Sequence, residues 1–209
     1  MNTIRLTSEY LAPVSHYAFM YKAERTEIEI QEHFQKQSFR NRCNILSANG
    51  VMPLTIPVEK SEFKKPCLKD MKISDHGNWR HLHWNAIKSS YNSSAFFEYY
   101  RDEFAPFYEK KYEYLVDFNE AMRALIFDQL EIEREIIQTD IYDKVTPEGV
   151  LDLRGYAEPQ IKIGLELNLV SKPYYQVFQT KYGFQSDLSI IDLLFNMGPE
   201  SEIILRDML

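Results

Sequence analysis

Thr3-Ile4-Arg5-Leu6-Thr7-Ser8 and Thr26-Glu27-Ile28-Glu29-Ile30-Gln31 decide the fold. In each run apolar residues alternate with polar ones, the two-residue period of a β-strand with one face buried. The first run stops before the irregular Tyr10-Leu11-Ala12-Pro13, and Ser15 then offers an N-cap for a short helix over residues 16–22. Further on, residues 43–46 and 52–58 flank Asn49-Gly50, a dipeptide that accepts the positive φ of a hairpin turn. Residues 59–78 mix lysine, proline and single apolar side chains without a period, which predicts a long loop with one short strand near 71–73.

From Trp79 the period becomes helical. Trp84, Ile87 and Tyr91 share a face, a second helix is expected over 96–104, and the longest over 115–133, where Phe118, Met122, Leu125 and Ile126 form a core stripe. Residues 136–142 read as a strand, Thr146-Pro147-Glu148-Gly149 as a turn, and 152–163 as ambiguous. A helix over 188–196, capped by Ser186 or Asp187, ends at Gly198-Pro199 before a last short helix. The expected architecture is one α/β domain over residues 1–209, with a central mixed sheet built from the strands of the first 60 residues, a Rossmann-like N-terminal part and later helices covering it; a segregated α+β arrangement is the alternative.

Composition narrows the function. With 24 Lys and Arg against 31 Asp and Glu, the net charge of -7 disfavours a nonspecific grip on nucleic acid. No apolar run approaches the ~20 residues that span a bilayer. The start Met1-Asn2-Thr3-Ile4-Arg5 lacks the apolar core of a secretory signal. A cytoplasmic protein without membrane insertion is expected, and two cysteines, Cys43 and Cys67, suit free thiols in a reducing compartment. Walker A, G-x-G-x-x-G, H-E-x-x-H and G-x-S-x-G runs are absent. His81 and His83 would diverge by about 200° on a helix, and Cys43, Cys67 and His76 have no zinc-ligand spacing. Neither a metal nor a cofactor is implied.

Four constellations can carry chemistry. Tyr10, Pro13, His16 and Tyr17 stand where a strand gives way to a helix, whose first N–H groups suit a phosphate or carboxylate, with His16 able to move a proton. Lys36-Gln37-Ser38-Phe39-Arg40-Asn41-Arg42 concentrates three cations, and extended alternation would put Arg40 and Arg42 on one side as paired anion forks. Trp79 and His83 lie one helical turn apart, near Trp84 and Tyr91. Tyr175 and Gln176 precede Ser189 and Asp192, which sit at i and i+3 without a histidine beside them, so capping and hydrogen bonding suit them better than a triad. Each set also has a purely structural reading: a packed histidine, a solvated charge run, a core aromatic stripe.

Taken in order, these segments resemble the WbqC-like family. The resemblance rests on Tyr10-Leu11-Ala12-Pro13-Val14-Ser15-His16-Tyr17, then Arg40-Asn41-Arg42, Asn49-Gly50 and Leu54-Thr55-Ile56-Pro57-Val58. It continues through Trp79, His83, Tyr91, Phe97 and Phe118-Asn119 to Tyr175-Gln176, Phe184 and Leu188-Ser189-Ile190-Ile191-Asp192-Leu193-Leu194-Phe195-Asn196-Met197-Gly198. Longer members carry an extra α/β stretch where this chain has residues 143–163. The resemblance implies an association with gene clusters for O-antigen and other surface polysaccharides, and a glycine transferase role has been suggested for a member. The opening strand, turn and helix is also similar to nucleotidyltransferase-type Rossmann-like domains, although their H-x-G-H is here His16-Tyr17-Ala18-Phe19.

The expected function is therefore a group transferase on an anionic small molecule, a nucleotide sugar or an activated amino acid, in surface-polysaccharide synthesis. Arg40, Arg42, Lys36, Asn41 and the helix start would hold the anion. Tyr10, Tyr17, Trp79, Tyr175, Gln176, Ser189 and Asp192 would line the site, with His16 or His83 moving the proton. The alternative is a noncatalytic binding or assembly protein of a polysaccharide cluster; a homodimer is open in either case.

Overall fold

A computed structural model of the chain describes residues 2–155 and 169–209. In chain order its elements are β1 (Thr3–Thr7), α1 (Val14–Lys22), β2 (Arg25–Glu29), β3 (Arg42–Ser47), β4 (Gly50–Thr55), α2 (Trp79–Tyr91) and α3 (Phe97–Glu109). They continue with α4 (Leu115–Gln129), β5 (Glu135–Gln138), β6 (Val150–Asp152), α5 (Gln179–Tyr182), α6 (Ile190–Met197) and α7 (Ser201–Asp207).

The two opening runs are both strands and pair parallel across α1, with Ile4 opposite Thr26 and Arg5 opposite Glu27. β5 adds to the far side of β2 and β6 to the far side of β1, giving the order β5-β2-β1-β6. This is the expected α/β class with a Rossmann-like start, but the sheet expected to be mixed is parallel in every described pairing. Among the described strands, antiparallel pairing is that of β3 with β4, which forms a separate two-stranded sheet. That hairpin buries Cys43, Ile45 and Leu54 and packs β3 against α2 and α6, so its apolar face is covered without joining the main sheet.

Helices flank the parallel sheet, and four of the five β1 residues are buried, polar ones included. Arg5 is accommodated there because Glu27 on the adjacent strand accepts from Nε at 2.9 Å and Nη2 at 2.7 Å, and Asp143 accepts from Nη1 at 3.0 Å. A buried guanidinium is tolerable only with its donors matched in this way.

Several boundaries move for physical reasons. α1 begins at Val14, with Pro13 rather than Ser15 at the cap position, because its opening donors are met by distant chain. The Val14 N–H donates to the Leu188 carbonyl at 3.0 Å and the Ser15 N–H to Asp187 Oδ1 at 2.9 Å. In the hairpin, Ser47 pairs with Gly50, so the loop is Ala48 and Asn49, and the left-handed residue is Gly50 at φ 101°. The strand expected near 71–73 is reduced to isolated bridges, Val58 with Ile73 and Lys72 with Tyr114. The ambiguous run from 152 begins as the last residue of β6, while its part from 156 to 163 lies outside the described residues.

The helical half is held by aromatic packing. Phe195 on α6 meets Tyr91, Phe97, Tyr100 and Phe104 with ring centroids 5.1 to 6.3 Å apart, geometry worth roughly 1 kcal/mol per pair beyond area burial. The start of α6 is also stitched to the opening of the chain: Ile190 N–H donates to the Ala12 carbonyl at 3.0 Å and Ser189 N–H to the Asn44 carbonyl at 2.8 Å. The C-terminal segment thereby closes over the β1–α1 turn.

Candidate functional site

In open parallel sheets ligands gather beyond the carboxyl ends of the strands, where the chain turns to opposite sides of the sheet. Here that point lies beside β1, which has β2 on one side and β6 on the other. Glu9 leaves the end of β1 and His16 sits in the first turn of α1; His16 Nδ1 lies 2.6 Å from Glu9 Oε2. Both are buried, and Glu9 Oε1 has no hydrogen-bond partner among the described residues. The two side chains line a narrow crevice of about 10 Å³ together with Thr7, Tyr17, Glu120 and Arg123, room for about one water molecule. Arg123 donates to Glu120 Oε2 from Nε at 3.0 Å and Nη2 at 2.7 Å, and Ser8 Oγ donates to Glu120 Oε1 at 3.1 Å. A carboxylate against one imidazole nitrogen fixes which nitrogen faces it and how the ring is oriented, an arrangement suited to proton transfer.

Of the residues expected to join His16, Tyr17 shares the crevice. Tyr10 is turned into the core, its hydroxyl 3.2 Å from His83 Nδ1 and 2.8 Å from the Tyr108 hydroxyl. Burial drives the Tyr10 phenol far above its ordinary range, with the neighbouring Tyr108 and Cys43 adding to the rise. His83 and Trp79 belong to this same buried group, with ring centroids 5.1 Å apart. Burial lowers the His83 imidazole to about 4, against a backbone hydrogen bond at Thr55 that raises it, so the ring is neutral near neutral pH.

The expected cationic cluster disperses. Arg40 is fully buried and donates to Glu32 Oε1 from Nε at 2.9 Å and from Nη2 at 2.8 Å; the Thr7 hydroxyl donates to the same oxygen. Burial pushes the Glu32 carboxyl up, and the attraction of Arg40 only partly offsets it. Arg42 instead donates from Nε across the hairpin to Thr55 Oγ1 at 3.0 Å. The two arginines do not form parallel forks, because Arg40 stands in a turn and Arg42 opens β3. Asn41 Nδ2 holds the Ile56 carbonyl at 2.8 Å, and Lys36 is exposed. The opening N–H groups of α1 are engaged by Leu188, Asp187 and, for His16, the Pro13 carbonyl.

The C-terminal set forms its own buried network. Asp192 Oδ1 accepts from the Tyr91 hydroxyl at 2.9 Å, and Oδ2 accepts from Tyr174 at 2.8 Å and Gln176 Nε2 at 2.8 Å. Desolvation nevertheless raises the Asp192 carboxyl to about 6, the three donors pulling the other way. Ser189 is the buried N-cap residue of α6, whereas Tyr175 is half exposed and its neighbour Tyr174 makes the contact. A wider cavity, about 570 Å³ between the start of α3, the end of α4 and the α6–α7 turn, includes none of the expected site residues.

Sequence reasoning passed over Glu9, Glu120 and Arg123. The Glu120–Arg123 spacing of three on a helix was an available signal. Glu9, following a strand by two residues, was readable only by asking what the end of β1 presents to the next helix.

Fold and crevice together define a parallel α/β protein with a histidine–carboxylate pair at the end of its first strand. The chain belongs to the WbqC-like protein family, whose model matches residues 8–155. It is similar to "Uncharacterized protein Rv1507c" of Mycobacterium tuberculosis, with 26% identity over 195 residues, covering 83% of this chain and 84% of that relative. No solved structure matches it significantly. Among the described residues no helix is long and apolar enough to cross a membrane.

Proposed function

We propose that this chain is a group transferase acting on an activated, anionic small molecule, a nucleotide sugar or an activated amino acid, in the synthesis of a surface polysaccharide. The observation that carries the reading is the 2.6 Å contact of His16 with Glu9 at the carboxyl edge of the sheet. In this scheme the crevice admits about one water molecule rather than the substrate. His16 moves the proton through that water to a group bound outside it, Glu9 holds the His16 tautomer, and Tyr17 and Arg123 border the water. His83 is the weaker choice, since it is neutral and packed against Tyr10 and Trp79. Membership of the WbqC-like family supports the polysaccharide setting through that family's association with surface-polysaccharide gene clusters.

The test begins with a thermal-shift screen against nucleotide sugars, nucleotides and amino acids, because a ligand of the native state raises apparent stability. Transfer is then followed with the stabilising compound. His16→Gln and Glu9→Gln, each with an unchanged circular dichroism spectrum, should lose at least roughly a hundredfold in turnover. Wild-type turnover in both variants sinks the scheme. A second reading, a noncatalytic assembly protein, draws support from Arg40 and the α1 start being satisfied within the chain. A silent screen favours it.

A further inference from the structure

A second concavity, about 440 Å³, lies between the start of α2 and the end of α3, within the size range of small-molecule sites. None of the groups in the transferase scheme lines it. Its wall is the Trp84 indole, stacked on Tyr108 with centroids 5.5 Å apart and planes 18° apart. Tyr108 is itself buried and hydrogen-bonded to the Tyr10 hydroxyl at 2.8 Å, so the aromatic wall is backed by rigid core. At the rim, Asp75 accepts from Arg80 at 2.6 Å and from Lys111 at 2.5 Å, and Asn78, His81 and Glu109 complete it.

The charges choose among ligands. Arg80 and Lys111 are both drawn to Asp75, and Glu109 lines the same groove, so these four charged groups sum to zero; the remaining titratable group of the lining, His81, has its Nε2 2.7 Å from Asn85 Nδ2. A phosphate seat would show an excess of positive potential. What remains is an aromatic surface beside fixed donors and acceptors of both kinds. A sugar ring matches that pattern: one face is C–H and packs on an indole, while each hydroxyl can donate and accept. We propose that this groove binds a neutral monosaccharide unit, its ring against Trp84 and its hydroxyls on Asp75, Arg80 and Asn78. The groove is open and its rim exposed, so the affinity is millimolar for a single ring.

The chain has two tryptophans, of which Trp79 is buried and Trp84 lines the groove, so indole fluorescence reports on the site. The full-length chain is titrated with glucose, galactose and N-acetylglucosamine, and in parallel with inorganic phosphate and AMP. A saturable change with at least one sugar is expected, and none with phosphate or AMP. By calorimetry, Trp84→Ala should abolish that binding and Asp75→Asn weaken it roughly tenfold, about 1.4 kcal/mol. Asp75 is exposed at the rim, so its variant keeps the test valid if Trp84→Ala does not fold. His16→Gln should leave sugar affinity unchanged, which separates this proposal from the transfer scheme. Absence of saturation with all three sugars, saturation by phosphate or AMP instead, or an unaltered affinity in Asp75→Asn overturns it.

Discussion

Asp192 sets two opposing effects against each other, and replacing it with asparagine measures which one wins. The carboxylate accepts three hydrogen bonds, from Tyr91, Tyr174 and Gln176, and hydrogen bonds to an ionised group favour the charged form. Its near-complete burial favours the neutral form and prevails, raising the group from 3.8 to about 6. At about 1.4 kcal/mol per tenfold change in proton affinity, that rise corresponds to about 3 kcal/mol. The folded state therefore holds a proton at pH values where the unfolded chain has released it. The contribution is fully present below the unfolded value of 3.8 and is lost as pH rises through the folded value of about 6. The carboxamide of the Asp192→Asn variant does not titrate, so subtracting that variant's stability from the wild type cancels the other ionisable groups. Equilibrium urea unfolding of both proteins across this interval should show the wild-type advantage shrinking by about 3 kcal/mol as pH rises. A flat difference would mean that the three donors balance desolvation, and one that grows with pH that they outweigh it; in either case the reasoning fails.

Other perturbations probe the same balance of burial and pairing. Arg40→Met strands the Glu32 carboxylate in the interior and should cost about 3–5 kcal/mol in urea unfolding, most of it recovered in the Arg40→Met, Glu32→Leu double variant; a single variant near wild type would show that the pair is not buried in solution. Gly198 has a φ of 54°, and an added Cβ would stand 2.5 Å from the Phe96 ring, so Gly198→Ala should lose about 1–3 kcal/mol and lower the melting temperature, with no effect on the melting temperature counting against this turn. Tyr10→Phe keeps the ring packing and removes the contacts with His83 and Tyr108; a loss near 1 kcal/mol in chemical denaturation is expected, and a several-fold larger loss would contradict a simple hydrogen-bonding role.

What the sequence disclosed and what it hid follow from how local each signal is. β1, β2 and the hairpin were readable because alternation and Asn49-Gly50 are encoded within a few residues. The pairing of β5 and β6 was not, since strands of four and three residues carry too little period, and parallel neighbours are chosen by tertiary packing. The same division governs the site. His16 and Tyr17 follow from strand, turn and helix in succession, and the structure seats both at one crevice. Arg40 reads as a ligand-seeking cation because Glu32, its partner across a turn, is eight residues away and looks solvated in sequence. Between the adjacent Tyr174 and Tyr175, only the path of an irregular segment decides which hydroxyl reaches Asp192.

An acidic chain of net charge -7 has carboxylates to spare as internal counter-ions, and it uses them at Arg40 and at the α1 start, two of the anion seats the sequence offered. Glu32 takes Arg40, Asp187 takes the Ser15 N–H, and Asp75 takes both Arg80 and Lys111. At the carboxyl edge of the sheet, buried oxygens of Glu9 and Asn119 have no hydrogen-bond partner among the described residues. Such acceptors favour a ligand that brings N–H or O–H groups rather than one that brings only negative charge. Inorganic phosphate alone should accordingly move the melting temperature little, and the stabilising compounds should be those that pair an anionic group with an amine or hydroxyl able to reach Glu9. A phosphate titration that stabilises the wild type strongly, and Glu9→Gln no less, would place the anion elsewhere and separate the binding energy from the His16–Glu9 pair.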